Sequence, residues 1–209
     1  MKLAALALFT LLLTTFATAQ SNPKLEVFGG YSLEHISACG ASQGRNYIFL
    51  PCSMIEDGYS TPSNFNGWTA SLTRYVYKFV GVTADFTGHY GTTTESGDGT
   101  GSAFTSRYSY MFGPAAAFRT KNSGTLFAHA LFGGVSNNFG SASGGGAFHS
   151  NNPNYTQFAW AVGGGFDVNA TPRMAVRLAQ LDYERVNVPT GIEPAVGGFR
   201  YATGIVFKF

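Results

Sequence analysis

The chain has 209 residues, a formal net charge of +2 and a mean hydropathy of +0.02. Only 11% of its residues are charged, whereas 15% are aromatic and 27 are glycine. Soluble globular proteins carry about 25% charged residues, so the composition argues against an ordinary soluble globule. The nearly balanced charge also gives no indication of a nucleic-acid partner.

The first element along the chain is a secretory signal. Lys2 precedes an apolar run over 3–16, and small residues follow at 17–19. This order is typical of a cleaved signal peptide, and the run is shorter than the roughly 20 apolar residues of a transmembrane helix. An uncleaved N-terminal anchor is the alternative. The sequence predicts cleavage between Ala19 and Gln20, a signal peptide over 1–19 and one domain over 20–209.

The remainder is predicted to form eight β-strands, because apolar and polar side chains alternate and helical periodicity is absent. Two strands, 125–136 and 173–184, have an ambiguous phase. A β-bulge near residues 179–180 would reconcile the second, since one extra residue exchanges the two faces. The predicted strands are 24–34, 65–73, 80–90, 104–118, 125–136, 156–168, 173–184 and 197–209.

The last strand shows most clearly what the two faces require. One face is apolar except for Thr203, and the other is small or polar. We expect the apolar face to point outward to lipid and the other face to point into a lumen. The apolar face carries Phe199, Tyr201, Ile205, Phe207 and Phe209, and the opposite face carries Arg200, Ala202, Gly204, Val206 and Lys208.

The connections between strands alternate in length. Short turns follow the even strands at 74–79, 119–124 and 169–172, and long polar loops follow the odd strands at 35–64, 91–103, 137–155 and 185–196. Bacterial outer-membrane barrels show this alternation, and a sheet in lipid must close to pair every backbone group. The sequence therefore predicts an all-β, eight-stranded, antiparallel, up-and-down transmembrane β-barrel.

Polar residues in the inward phase form a candidate lumen network. An eight-stranded barrel is just wide enough for side chains to fill, and buried charges must pair. A structural plug of ion pairs is the preferred interpretation, and a narrow gated pore is the alternative. The predicted network comprises Glu26, Asp85, His89, Arg107, Gln157, Asp167, Arg177, Arg200 and Lys208.

The two cysteines, Cys39 and Cys52, both fall in the first long loop. An exported protein meets an oxidising compartment, so we expect a disulfide, with a stabilisation of about 3 kcal/mol. Two reduced thiols are the alternative. A metal site is disfavoured because two cysteines fall short of the usual four ligands. We expect no metal and no cofactor.

Catalysis is not predicted, because no hydroxyl nucleophile is patterned next to a histidine and a carboxylate. His89 shares a face with Asp85 and Thr87, which could form a relay, but ordinary lumen polarity explains the same pattern. The glycine-rich stretch 140–146 lacks the Lys-Ser/Thr of a phosphate loop. The histidines considered are His35, His89, His129 and His149.

Three segments, 163–167, 175–183 and 205–209, carry a resemblance to a known family. The chain resembles the small OmpA-type outer-membrane β-barrel proteins of Gram-negative bacteria. The resemblance implies an outer-membrane location, contact of the barrel with outer-membrane lipid, and assembly by the barrel-assembly machinery. In such proteins a terminal aromatic residue is part of the assembly signal, which corresponds here to Phe209 with Phe207, Ile205 and Tyr201.

The predicted role is non-catalytic: envelope structure, or surface interaction through the extracellular loops with a partner that the sequence does not identify. A narrow outer-membrane channel for small or apolar solutes is the second choice, and a lipid-modifying barrel enzyme is the third. A soluble ligand-carrying barrel would instead turn its apolar face inward.

Overall fold

The computed structural model describes residues 23–36, 39–43, 46–50, 63–95, 101–120, 124–143, 155–187 and 196–209. The predicted signal peptide and its cleavage site lie outside these residues. Within the described part of the chain, no helix is long and apolar enough to span a bilayer. The strands are β1 (Leu25–Ile36), β2 (Cys39–Gln43), β3 (Asn46–Leu50), β4 (Ser63–Tyr75), β5 (Val80–Glu95), β6 (Gly101–Arg119), β7 (Gly124–Ser143), β8 (Tyr155–Thr171), β9 (Met174–Val186) and β10 (Val196–Lys208).

Eight of these strands close into one antiparallel barrel in the order β1-β10-β9-β8-β7-β6-β5-β4. The closing seam joins β1 to β10 without interruption from Glu26 opposite Lys208 to Ile36 opposite Gly198. Closure leaves no free sheet edge among the eight strands, which is the condition for backbone in hydrocarbon. The predicted eight-stranded up-and-down barrel is confirmed.

Strand lengths differ from the prediction on the long-loop side. Much of 91–103 and 137–155, predicted as loop, is strand, because β5 and β6 pair from Val80 opposite Ala116 to Glu95 opposite Gly101. The first predicted loop also contains the hairpin β2–β3. A membrane strand needs about 9–11 residues, and β7 has 20, so this side of the barrel extends beyond a bilayer core. Apolar alternation ends on this side while backbone pairing continues, which explains the error.

The bulge predicted near 179–180 is confirmed, one position earlier. On β8, Phe166 pairs with Ala179 whereas Asp167 pairs with Arg177, so Leu178 has no partner of its own. The register of β10 shifts at the same height. This single extra residue exchanges the faces, so both apolar halves of β9 point outward.

Large apolar side chains cover the outer face. Those that are at least 36% exposed within the strands are Val27, Tyr31, Trp68, Leu72, Val80, Val82, Phe86, Tyr90, Tyr110, Phe112, Phe118, Leu126, Phe132, Phe158, Val162, Phe166, Met174, Val176, Leu178, Leu181, Phe199, Ile205 and Phe207. The ambiguous strand β7 places Leu126 and Phe132 outside and Phe127, Leu131 and Val135 inside. The predicted outward apolar face is therefore present around the barrel.

Glycines on the outer face accept aromatic rings from the next strand. A Cβ atom added to Gly88 would lie 2.7 Å from Trp68 Nε1, and one added to Gly134 would lie 2.7 Å from the Tyr110 hydroxyl. The rings thus cover backbone that a larger residue would displace, an arrangement known to stabilise glycine in sheets.

The β6–β7 ladder has a gap at Gly113 and Pro114. Pairing passes from Phe112 opposite Phe132 directly to Ala115 opposite His129. Proline has no N–H to donate, so a hydrogen bond is lost where it occurs inside a sheet. Pro114 is exposed on the outer face, and the gap therefore lies within the apolar band.

Candidate functional site: the lumen network

The barrel interior is filled by polar side chains in successive layers. All nine side chains of the predicted lumen network lie inside, with Gln157 the most exposed at 9%. The structure adds buried polar residues that the prediction omitted: Glu34, His129, Gln180, Asp182 and Glu184, which are at most 8% exposed.

The central layer is organised by Arg200 on β10, which is 1% exposed. Its Nη1 donates to Asp85 Oδ1 on β5 over 2.7 Å, and its Nη2 and Nε donate to Asp182 Oδ2 on β9 over 2.7 and 3.0 Å. Strands β10 and β5 are three places apart around the barrel, so this ion pair crosses the lumen. Asp182 also accepts from Gln180 over 2.7 Å and lies 2.8 Å from His129 Nε2.

The next layer toward the short turns holds Arg177. Its Nε and Nη2 donate to the two carboxylate oxygens of Asp167 over 2.8 and 3.2 Å, a two-point contact that fixes the guanidinium plane. The same guanidinium lies 4.1 Å from the Phe28 ring centre and 3.9 Å from that of Phe127. The third donor, Nη1, reaches Gln180 over 2.7 Å and joins this layer to the central one.

The short-turn end of the lumen is closed around Glu26. Its carboxylate accepts from the Tyr75 hydroxyl over 3.0 Å and from Arg119 Nη2 over 3.1 Å. Arg119 lies 4.1 Å from the Tyr75 ring centre. Lys208 donates to Asn169 Oδ1 over 2.6 Å. Two cations and one hydroxyl, from the three strands β4, β6 and β10, thus converge at this end.

The long-loop end holds a second cross-lumen cluster. Arg107 on β6 pairs with Glu34 on β1, Nε to Oε1, over 3.1 Å, and also with Glu184 on β9. Each acidic partner is three strands from β6, in opposite directions around the barrel. His89 Nδ1 lies 3.2 Å from Glu34 Oε2, and its Nε2 lies 2.8 Å from Ser32 Oγ.

The contacts Ser32–His89–Glu34 follow the order of a hydrolase triad, which the sequence did not suggest. The predicted partner Asp85 instead pairs with Arg200. Ser32 is fully buried and lies 3.4 Å from the Tyr201 carbonyl oxygen, while Glu34 is also engaged by Arg107. A nucleophile needs room for an acyl group and donors for the developing oxyanion, and the packing around Ser32 leaves a structural role as the better explanation.

The omitted residues had a recognisable signal in two places. Glu34 shares the inward phase of Glu26 on β1, so the same alternation would have included it. Asp182 and Glu184 follow the predicted bulge, which turns Leu181 and Tyr183 outward and these two carboxylates inward, so the same alternation would have included them. His129 lies on β7, where large apolar residues occupy both faces.

The remaining predicted sites concern the surface. Ile205 and Phe207 point outward with exposures of 44% and 43%, and Phe209 and Tyr201 are half-buried; their role in assembly stays a prediction. Cys52 and the side chain of Cys39 lie outside the described residues, so the disulfide also stays a prediction.

Comparisons with known proteins show the fold. No family model matches the chain, and no curated protein matches it in sequence. Neisserial surface protein A is similar in structure, with a TM-score of 0.56, 13% identity, and coverage of 91% of this chain and 100% of that one. The outer membrane protein OprG from Pseudomonas aeruginosa is also similar, with a TM-score of 0.55, 10% identity, and coverage of 90% of this chain and 96% of that one.

A third similar structure is Ail, the attachment invasion locus protein of Yersinia pestis, solved with the heparin analogue sucrose octasulfate. It has a TM-score of 0.53 and 17% identity, covering 90% of this chain and 99% of that one. Sequence identities this low indicate a shared architecture and give no indication of a shared activity. The chain thus has the closed eight-stranded fold of these small outer-membrane barrel proteins.

Proposed function

We propose that this protein is a non-catalytic barrel of the bacterial outer membrane, exported by a cleaved signal peptide, with an envelope-structural or surface-interaction role exerted through its long-loop side. The kinship with OmpA-type proteins and assembly by the barrel-assembly machinery belong to the same proposal. The apolar outer face supports the membrane location, because water does not favour a continuous band of exposed aromatic and aliphatic side chains.

The closed lumen is the observation that carries the proposal. Arg200 and Arg107 each bind at least one carboxylate from a strand three places away, and all of these side chains are at most 6% exposed. Buried pairs held on both sides of the lumen resist separation, since breaking one leaves an uncompensated charge. A barrel obstructed in this way is suited to display and anchoring more than to conduction.

The long-loop side offers the surface for display. There β5, β6 and β7 extend beyond the length that a bilayer core requires, and the hairpin β2–β3 lies in the first connection. Loops on a rigid scaffold are where binding residues concentrate. The similar Ail structure holds a heparin analogue; for this chain the partner is unidentified.

A channel for small apolar solutes is the second candidate. One lumen wall is apolar, formed by Met111, Leu131, Val135, Ala159, Ala161 and Val186. Beside this wall the β6–β7 ladder is interrupted at Gly113 and Pro114. These features favour apolar over ionic cargo if a path opens.

Planar-bilayer recording of the purified protein tests the closed lumen, with a porin as positive control. We expect no stable conductance steps, and steady steps would contradict the proposal.

Surface display is tested by replacing 39–50 with a Gly-Ser linker and measuring adhesion of whole cells. The control is replacement of the turn at the opposite end, 120–123, by a Gly-Ser linker of its own length. Loss of adhesion in the first variant alone is expected; equal adhesion in both would oppose the display role.

A further inference from the structure

Among the described side chains, carboxylates and cations are distributed differently between lumen and surface. Every carboxylate among them is buried in the lumen, at most 5% exposed: Glu26, Glu34, Asp85, Asp167, Asp182 and Glu184. Of the five exposed Lys and Arg side chains among them, four lie at the short-turn end of the barrel, and the fifth, Arg185, lies at the opposite end. The four are Lys24, Arg74, Lys78 and Arg173, which we call the basic rim. In the described part of the chain, none of the four forms an ion pair.

The residues of the basic rim lie on chain segments that neighbour one another at the end of the barrel. Leu25 is the strand partner of Arg74, and the Tyr75 amide donates to the Lys24 carbonyl over 2.9 Å. The turn holding Arg173 reaches the same place through β10, whose Lys208 amide donates to the Arg173 carbonyl over 2.8 Å. These contacts place the cations along one arc of the barrel end.

A second observation concerns the apolar side chains that lie beside these cations. The turn that contains Lys78 is otherwise apolar and projects outward, with Val76 77%, Tyr77 78% and Phe79 43% exposed. Lys78 Nζ lies 5.4 Å from the Phe79 ring centre, and Phe79 stacks on Phe118 at 6.0 Å. Aromatic rings beside cations, at the ends of lipid-facing strands, are typical of the membrane–water interface.

We propose that the basic rim binds the headgroups of anionic phospholipids in the leaflet at the short-turn side, which is the periplasmic side in bacterial barrels. The proposal rests on the membrane location given under Proposed function. A phosphodiester supplies the anionic oxygens that an Arg or Lys without a protein carboxylate lacks, while the acyl chains cover the exposed rings of the turn. The attraction is local, because salt screens it over about 10 Å.

The test uses the full chain, folded into vesicles of equal parts phosphatidylglycerol and phosphatidylcholine. The lipid retained after gentle detergent extraction is quantified by mass spectrometry. We expect at least about fivefold enrichment of phosphatidylglycerol, the factor that one cation contributes near an anionic surface. The triple variant Arg74→Gln, Lys78→Gln, Arg173→Gln should lose the enrichment. Arg185→Gln, an exposed cation at the opposite end, should keep it.

The outcomes distinguish the lipid site from the membrane location on which it rests. Failure of the chain to insert into vesicles would overturn the membrane location itself. Insertion with no enrichment, or with equal enrichment in the triple variant, would overturn only the rim as a lipid site. Binding to isolated peptidoglycan that is lost in the triple variant, without lipid enrichment, would assign the rim to a different partner. If the triple variant does not fold, judged by heat-modifiable mobility, Lys78→Gln alone decides, because Lys78 lies in an exposed turn.

Discussion

Replacing Arg200 with methionine removes the centre of the lumen network while keeping most of the side-chain volume. Arg200 is 1% exposed and donates to Asp85 and Asp182 through bonds of 2.7 to 3.0 Å. The variant leaves Asp85 without this cation in the lumen, whereas Asp182 retains Gln180 and His129.

The expected cost follows from these contacts. Removing one partner of a buried ion pair typically lowers the free energy of unfolding by about 3–5 kcal/mol. Arg200 has two carboxylate partners, but Asp182 keeps other donors. We therefore expect Arg200→Met to lower the free energy of unfolding by the cost of one broken pair, about 3–5 kcal/mol, and not by the cost of two. Adding Asp85→Asn and Asp182→Asn should restore more than half of the loss, since neutral amides cost far less to bury than unpaired carboxylates.

Reversible urea unfolding in lipid vesicles, followed by tryptophan fluorescence, measures both changes. Arg185→Met is the matched control: it removes an exposed guanidinium from the neighbouring strand β9, and its effect should stay within about 0.5 kcal/mol. A loss of less than about 1 kcal/mol for Arg200→Met, or no recovery in the triple variant, would refute the argument that paired charges hold the lumen closed.

Three further predictions concern the ladder, the seam and the first loop. Pro114→Ala should raise the free energy of unfolding by about 1 kcal/mol, the net value of one ladder hydrogen bond, and a destabilised variant in the same assay would contradict this. Gly204→Ala should cost at least about 2 kcal/mol, because its Cβ would lie 2.3 Å from the Gly29 carbonyl oxygen, whereas Gly29→Ala meets no atom within 4 Å and should be neutral; equal effects would remove the close-approach argument. For the predicted disulfide, maleimide should label neither Cys39 nor Cys52 on intact cells without reductant but should label Cys39→Ser, and labelling of the unmodified protein would exclude the bridge.

The sequence predicted the barrel well because the membrane imposes a simple rule on each strand. Where one face meets lipid and the other meets polar side chains, alternation is strong and the phase is unambiguous, as for Phe166 against Asp167 on β8. The prediction lost its basis where that contrast disappears. Residues 91–95 of β5 are Gly, Thr and Glu, so backbone pairing continues there without an apolar face to indicate it.

The lumen network was predicted by position but not by pairing. Alternation places Arg107 and Asp85 inside, yet it contains no information on which side chain meets which across a closed sheet. That depends on the stagger of the strands and on the bulge at Leu178, which determines the face of Asp182. The pairing of Arg107 with Glu34 and of Arg200 with Asp85 joins residues far apart in sequence, and no local pattern encodes such contacts.

The arrangement of the two faces decides between a membrane barrel and a soluble one. A soluble ligand-carrying barrel keeps its bulky apolar side chains inside, whereas here Phe112, Phe118 and Leu181 are at least 60% exposed. The six buried carboxylates would gain hydration on an outer surface in water, so burying them is disfavoured there unless the outside is even less polar. Hydrocarbon reverses this preference, because a charge on the lipid face near the membrane centre costs about 2–4 kcal/mol. The exposed cations of the basic rim fit the same rule, since they occur only at the ends of the strands, where such a cost falls toward zero.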